Sequence, residues 1–573
     1  MFALSKYYAS FKIVTPSTLD IAPEMIMRCH KLLLYSFKRP KPIQFRRTSL
    51  MSGHRTISQA PMAGCQSMKS LFDYTAGRWL HLDSPQREAR YLQFNFDRLC
   101  EKVLSLCPSA TSIQSCQKLE GGFSRAFIIT TDNGRCVVAK IPTSVAGPAR
   151  FITNSEDLDL VRQLYLLVHT VQQNAEIPIP TILDWSDDLA NPIGSAYIIM
   201  EHAGGVPLHQ MWPKMSFPQK MNCIRSISTN IMKMSELDFP GYGSLYFADA
   251  VFLDTGLKQK LDDYKYCIGP SCRNTYWDCN VGEPRYYAFK GPNRGPWRDL
   301  LSYSSALIDV GLARLPPADD PVPHQQPSYQ GAVSEHLELL GLGQALFPKL
   351  IQHPLIQSNA APTLFHPDLH KRNIFVSEDD PTVVTGFIDW QSTCIEPAFY
   401  YADDVPDFAK PPVDETSEGT EESLCSQAFE AGLGLLAPRL AAVRKIDEIL
   451  LRPFRYCHRT WKDGVVPFTH ELMQLRDHWQ DFGFKEGCPI PVLGSEEMRI
   501  YQERLDIYDK MLAVRQDIVE TLGVEQDGWI PEDRWEEVKE AHQRIYEAVL
   551  AAMESEKDRQ DMKMMWPFDG VKA

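Results

Sequence analysis

Between Phe365 and Gln391 the chain reads Phe365-His-Pro-Asp-Leu-His-Lys-Arg-Asn-Ile-Phe-Val, then an acidic turn, then Val383-Val-Thr-Gly-Phe-Ile-Asp-Trp-Gln. Asp368 is followed five residues later by Asn373, and Asp389 ends an apolar run sixteen residues further on. No other stretch constrains the fold as tightly. Ile374-Phe-Val and Val384-Thr-Gly-Phe-Ile read as two short strands around Ser377 to Pro381. Such a hairpin returns Asp389 to the side of Asn373. A carboxylate and an amide oxygen together suit a hard divalent cation. Asp368 is then left to orient a hydroxyl and take its proton. Charge neutralisation, positioning and a proton acceptor are the requirements of phosphoryl transfer.

That chemistry needs a nucleotide side, and the upstream sequence offers one. Ile113 to Leu119, Ala126 to Thr131 and Cys136 to Ile141 read as strands, with a hairpin turn at Asp132-Asn133-Gly134 because Asn-Gly tolerates positive φ. Between the first two strands lies Glu120-Gly121-Gly122-Phe123-Ser124-Arg125. Glycines let backbone N–H groups approach a phosphate closely, so Gly121, Gly122, Phe123 and Ser124 form the expected phosphate-covering loop. Lys140 follows on the next strand, placed to meet the α- and β-phosphates of ATP. Its expected anionic partner is Glu156, near the start of a helical pattern capped by Ser155, with Asp157, Asp159 and Glu176 as competitors. The apolar strand Tyr197 to Met200 meets Gly204-Gly205 and reads as a hinge between lobes. Backbone groups from Glu201 to Ala203 would face the adenine edge. Loop glycines, strand lysine, loop Asp, Asn and a final Asp appear in the order used by protein kinases. The Asp-Phe-Gly and Ala-Pro-Glu features of those enzymes are missing.

The expected fold class is α+β. It has two kinase-like lobes, a small antiparallel-sheet N-lobe at 111–203 and a larger, mainly helical C-lobe at 204–573. Residues 61–110 form a lead-in segment packed against the N-lobe. Within the C-lobe, 366–391 is the catalytic stretch and 240–330 an irregular, aromatic-rich insertion. The segment 403–422 is an acidic flexible loop. The formal net charge is −14, yet residues 1–60 carry a net +8, leaving −22 for the rest. An acidic body argues against nucleic-acid binding, which needs basic surface. No apolar run approaches the roughly 20 residues that span a bilayer. The basic, acid-poor first 60 residues resemble a mitochondrial transit peptide, with a disordered tail and a cytoplasmic protein as the alternative. Fourteen cysteines without CxxC pairs read as reduced thiols, including Cys267, Cys272 and Cys279, whose spacing fits no common zinc pattern.

His366-Pro-Asp-Leu-His-Lys-Arg-Asn-Ile and Ile388-Asp-Trp resemble the catalytic loop and metal-binding Asp of the aminoglycoside phosphotransferase family. Phe72-Asp-Tyr-Thr-Ala-Gly-Arg-Trp-Leu, Gly121-Gly-Phe-Ser-Arg-Ala-Phe and Ala139-Lys-Ile-Pro extend the resemblance, over about 71 to 400, to a fungal mitochondrial branch. The resemblance implies a two-lobed kinase-like fold and ATP-Mg2+ chemistry. The roles it implies are Asp368 as base, Asn373 and Asp389 as metal ligands, and Lys140 with Glu156 on the nucleotide. Lys371-Arg372 departs from the family's usual Pro-Gly. The expected partner is a small molecule bearing a hydroxyl acceptor. A rival reading is a catalytically silent scaffold. Another takes His366, Asp368 and His370 as transition-metal ligands, since alternate residues of an extended segment share one side.

Overall fold

The computed structural model describes residues 71–155, 177–250, 258–261, 266–317, 326–401, 404–411 and 419–568. The basic segment 1–60 and Glu156 lie outside the described residues.

The lead-in segment contributes a short strand β1 (Gly77–Trp79) and a helix α1 (Phe96–Leu106) whose first turn is capped by Asn95. The N-lobe sheet follows: β2 (Ile113–Glu120), β3 (Ser124–Thr131), β4 (Cys136–Pro142), then helix α2 (Ala149–Ser155), then β5 (Ile182–Ser186) and β6 (Tyr197–Glu201). The five strands are antiparallel, in the order β2-β3-β4-β6-β5. Phe127, Ile129, Val137, Ala139 and Ile141 alternate along β3 and β4 and pack with Leu99 and Val103 of α1. Period-two alternation puts Lys140 on the opposite face. Helix α2 contains Ser155, and the helical pattern expected from Glu156 onward lies outside the described residues.

The hinge passes Gly204-Gly205 into β7 (Val206–Pro207). The C-lobe continues with α3 (Phe217–Ser235), then β8 (Ser244–Phe247), β9 (Gln259–Lys260) and β10 (Tyr266–Gly269). Next come α4 (Leu300–Ala313) and α5 (Val333–Leu350). The strands β11 (Pro362–Leu364), β12 (Ile374–Val376), β13 (Val384–Phe387) and β14 (Ile395–Pro397) frame the central stretch. Helices α6 (Glu421–Leu436), α7 (Val465–Asp477) and α8 (Ser495–Leu522) follow, then β15 (Trp529–Pro531), α9 (Trp535–Ala551) and α10 (Glu556–Met565). No described helix is long and apolar enough to cross a membrane.

The strand after Gly205 joins the sheet of the central stretch, because β7 pairs with β12 in the order β13-β12-β7. Gly205 makes this approach possible: its φ is +84°, and a Cβ there would sit 2.1 Å from the Val376 carbonyl oxygen. A Gly205→Ala protein must therefore shift one strand or strain the hinge, at a cost of about 3 kcal/mol or more. A lowered thermal midpoint is expected; an unchanged one would show that the two strands can part freely.

The insertion is more ordered than its composition indicates. Strands β8, β10 and β9 form a three-stranded sheet. Gly243, just before β8, exchanges both backbone hydrogen bonds with Ile395. The insertion also grips the N-lobe. Phe247 stacks on Trp185 of β5, and Trp277 packs 4.7 Å from Phe151 of α2. The acidic stretch after 403 likewise departs from a flexible loop where it is described. Phe408 and Ala409 are buried in the C-lobe core.

Buried histidines give the fold a pH dependence. His336 is fully buried against Trp461, and burial holds its pKa down to about 4. The unfolded chain protonates it near 6.5, so it stabilises the fold above that pH and loses this contribution as pH falls from 6.5 to 4. The share is up to about 3 kcal/mol. His470 is held down to about 4 in the same way, while Glu471, raised by burial to about 7, works in the opposite sense. A His336→Phe protein should show a shallower fall of urea midpoint between pH 6.5 and 4 than wild type. An identical slope would rule out His336 as a contributor.

Candidate functional site

The loop from Phe365 to Asn373 joins β11 to β12. The β12–β13 hairpin, with Ile374 opposite Phe387, turns the chain back on itself. The Ile388 N–H then donates to the Asn373 carbonyl at 2.9 Å. Asn373 and Asp389 are thereby neighbours across one hairpin end. From the other lobe, Lys140 Nζ donates to Asp389 Oδ1 at 2.7 Å. The structure thus brings Lys140, Asp368, Asn373 and Asp389 into one cleft.

The loop is held by its histidines. His366 is buried, and its Nδ1 accepts the Asp368 N–H at 3.1 Å. Its Nε2 therefore carries the proton and donates to the Ile388 carbonyl at 2.9 Å. Both ring nitrogens are used, which removes His366 from the transition-metal reading. Among the described residues no group of three His, Cys, Asp or Glu side chains is placed to hold a metal. Burial pushes His366 down to about 4, against the pull of Ile388 and Asp368, so the ring is neutral near pH 7.

His370 Nδ1 accepts the Arg372 N–H at 3.1 Å, and its Nε2 lies 3.1 Å from Asp368 Oδ2. Burial opposes charging of His370, but Asp368 and Asp407 outweigh it and raise the pKa. Asn373 Nδ2 donates to the Asp368 carbonyl at 3.0 Å, which commits the amide nitrogen and leaves the amide oxygen as the atom for a cation. Lys371, at the family's usual proline position, donates its N–H to Asp407 Oδ1 at 3.0 Å. Its carbonyl accepts from His209 N–H at 3.1 Å.

Asp389 has left-handed backbone, with φ +64°. Asp is among the few residues that tolerate this region, and such strain concentrates at functional sites. Its side chain is 47% exposed, yet protein surrounds it closely. That crowding opposes ionisation; the Lys140 ammonium overcomes it and holds the carboxyl below the usual range. Glu156, expected beside Lys140, lies outside the described residues.

The glycine turn lies beside Gln391, two residues past Asp389. Gly121 N–H donates to Ser124 carbonyl at 2.9 Å and closes it. The Phe123 carbonyl accepts from Thr143 N–H at 2.8 Å and from Thr143 Oγ1 at 2.9 Å. Gln391 adds a longer contact from its Nε2 at 3.5 Å. Thr143, Gln391, His209 and Asp407 are supports that sequence reading missed. Gln391 alone had a signal, standing inside the Ile388-Asp-Trp-Gln motif. At the hinge, Glu201 N–H is committed to the Thr181 carbonyl at 2.9 Å. His202 N–H reaches Cys136 carbonyl at 3.4 Å, and Ala203 packs over Gly386, whose Cβ would lie 3.1 Å from that of Ala203.

Residues 292–400 match the model of the phosphotransferase enzyme family. The matched range contains Asp368, Asn373 and Asp389; the glycine turn and Lys140 precede it. A subtelomeric hrmA-associated cluster protein of Aspergillus fumigatus is 29% identical over 319 residues, 49% of this chain and 58% of that protein. The chain thus spans little more than half the length of that relative. The mitochondrial altered inheritance of mitochondria protein 9 of Yarrowia lipolytica is 21% identical over 580 residues, 88% of this chain and 94% of that protein. Among solved structures, the aminoglycoside phosphotransferase APH(3'')-Id of Streptomyces rimosus is 17% identical. It covers 66% of this chain and 99% of its own, with a TM-score of 0.29. Residues 292–400 are thus similar to the phosphotransferase enzyme family, and the described chain sets them behind a five-stranded antiparallel sheet in a larger, mainly helical part.

Proposed function

We propose that this protein transfers the γ-phosphoryl group of ATP, bound as its Mg2+ complex, to a hydroxyl of a small molecule, and that it does so in mitochondria. The observation that carries the reading is the meeting of Lys140 with Asp389 across the cleft, beside the loop that bears Asp368 and Asn373. Two hard oxygen ligands from the protein, with substrate phosphates completing the shell, is the usual mode of Mg2+ binding. The Asp389 carboxylate and Asn373 amide oxygen fit that need. Bound there, the cation neutralises charge on the transferring phosphoryl group.

The chain's own groups do the rest. Lys140 neutralises the α- and β-phosphates, with Glu156 as the proposed anion that steadies it. The turn from Gly121 to Ser124 covers the phosphates, and the backbone from Glu201 to Ala203 borders the adenine. Asp368 orients the acceptor hydroxyl through one carboxylate oxygen and takes its proton, while His370 holds the other oxygen. Relatives named for mitochondria support the location.

Incubation of the purified protein with isotope-labelled ATP and a metabolite extract tests the reading. A labelled small-molecule product that requires Mg2+ is expected. Nucleotide binding without any transfer would instead favour the silent scaffold.

A further inference from the structure

We propose that Arg90 is a positioning residue: it fixes the glycine turn by tying it to a clasp built from the lead-in segment, α8, β15 and α9. This inference rests on the nucleotide-binding reading above. Arg90 is only 3% exposed. Its Nε donates to the Gly122 carbonyl at 3.0 Å. Its Nη1 donates to the Gln86 carbonyl at 2.8 Å and to Gln86 Oε1 at 2.7 Å. The guanidinium lies 4.5 Å from the Trp79 ring centre. A planar fork clamped in this way has little freedom to rotate.

The clasp behind it is specific. Trp79 pairs with Trp529 in the β1–β15 ribbon. Trp79 Nε1 donates to Asp527 Oδ2 at 3.0 Å, and Trp529 Nε1 donates to the Tyr74 hydroxyl at 3.1 Å. A Cβ on Gly77 would lie 2.2 Å from the Ile530 carbonyl oxygen, so the ribbon closes only around glycine. Leu80 then enters the core formed by Val514, Ile518, Trp535 and Val538. From α8 and α9 the connection runs through Leu80, its chain neighbour Trp79 and then Arg90 to the glycine turn.

The effect on the turn follows from peptide geometry. In a planar trans peptide the C=O and the following N–H point in opposite directions. Holding the Gly122 carbonyl toward Arg90 turns the Phe123 N–H the other way. Holding the Phe123 carbonyl toward Thr143 does the same for the Ser124 N–H. Arg90 thereby sets the direction of one of the two donors that would meet phosphate.

Amide hydrogen exchange on the full-length protein without nucleotide tests this directly. In Arg90→Met, exchange across 121–124 should rise at least tenfold, with protection in β4 and the C-lobe unchanged. Arg90→Lys, which keeps one donor, should fall between. Asp527→Ala, remote from the cleft, should loosen the same peptide by a smaller factor, and it serves if the Arg90 variants fail to fold. The dissociation constant for ATP-Mg2+ should rise about tenfold in Arg90→Met. Wild-type exchange at 121–124, or a uniform rise through the N-lobe, would overturn the proposal. Failure of the wild-type protein to bind nucleotide would overturn the reading of the site and leave the exchange result standing.

Discussion

An Asp368→Asn protein should lose phosphoryl transfer by about 10³-fold while retaining ATP-Mg2+ binding. General-base catalysis contributes roughly 10²–10⁴-fold. Asparagine fills the same space but cannot accept the proton. Its amide can still occupy the position that His370 Nε2 now reaches at 3.1 Å. The loop should survive, because its backbone bonds come from His366, Asn373 and Asp407 rather than from the Asp368 carboxylate. Turnover measured beside nucleotide titration separates the outcomes. Transfer at wild-type rate would remove Asp368 from the base role; loss of both transfer and binding would assign it to nucleotide binding instead.

Asp389→Asn should abolish the Mg2+-dependent part of nucleotide affinity and reduce transfer by about 10³-fold, the scale of removing a preorganised electrostatic group. Asparagine is a cleaner choice than alanine because the backbone at 389 is left-handed, a region that Asn enters readily and Ala does not. The substitution removes a carboxylate whose pKa Lys140 holds down. Lys140 itself is only 10% exposed, so the neutral partner leaves a poorly solvated cation. Because Asp389 reaches solvent, the stability cost is modest, about 1 kcal/mol. Nucleotide titration with and without Mg2+ provides the readout. Equal Mg2+ dependence in variant and wild type would exclude Asp389 as a ligand.

The parts of the site that were legible in sequence are those fixed by local order. The β12–β13 hairpin brings Asp389 back to Asn373, and strand–turn spacing alone predicts that. Lys140 is placed by its order, on the strand that follows the glycine turn and the Asp132-Asn133-Gly134 hairpin. The supports were hidden because they join residues far apart in the chain. Nothing local marks Arg90 as a partner of Gly122, or Asp407 as a partner of Lys371. The insertion's strands escaped notice for a different reason. Tyr266 to Gly269 is buried throughout, so no polar residue alternates with an apolar one. The stretch after 403 looked flexible because acids outnumber apolar residues there. Phe408 and Ala409 are nevertheless buried in its described part.

The β1–β15 ribbon also dictates an order of events during synthesis. Trp79 and Asp527 are 448 positions apart, so the ribbon cannot close until nearly all the described chain has been made. At about 5–20 residues per second, the N-lobe would wait on the order of half a minute with Trp79 lacking its partners Trp529 and Asp527. Such long-range closure is slow and leaves apolar surface open to other proteins. A nascent chain is therefore a natural client for chaperones that bind aromatic segments.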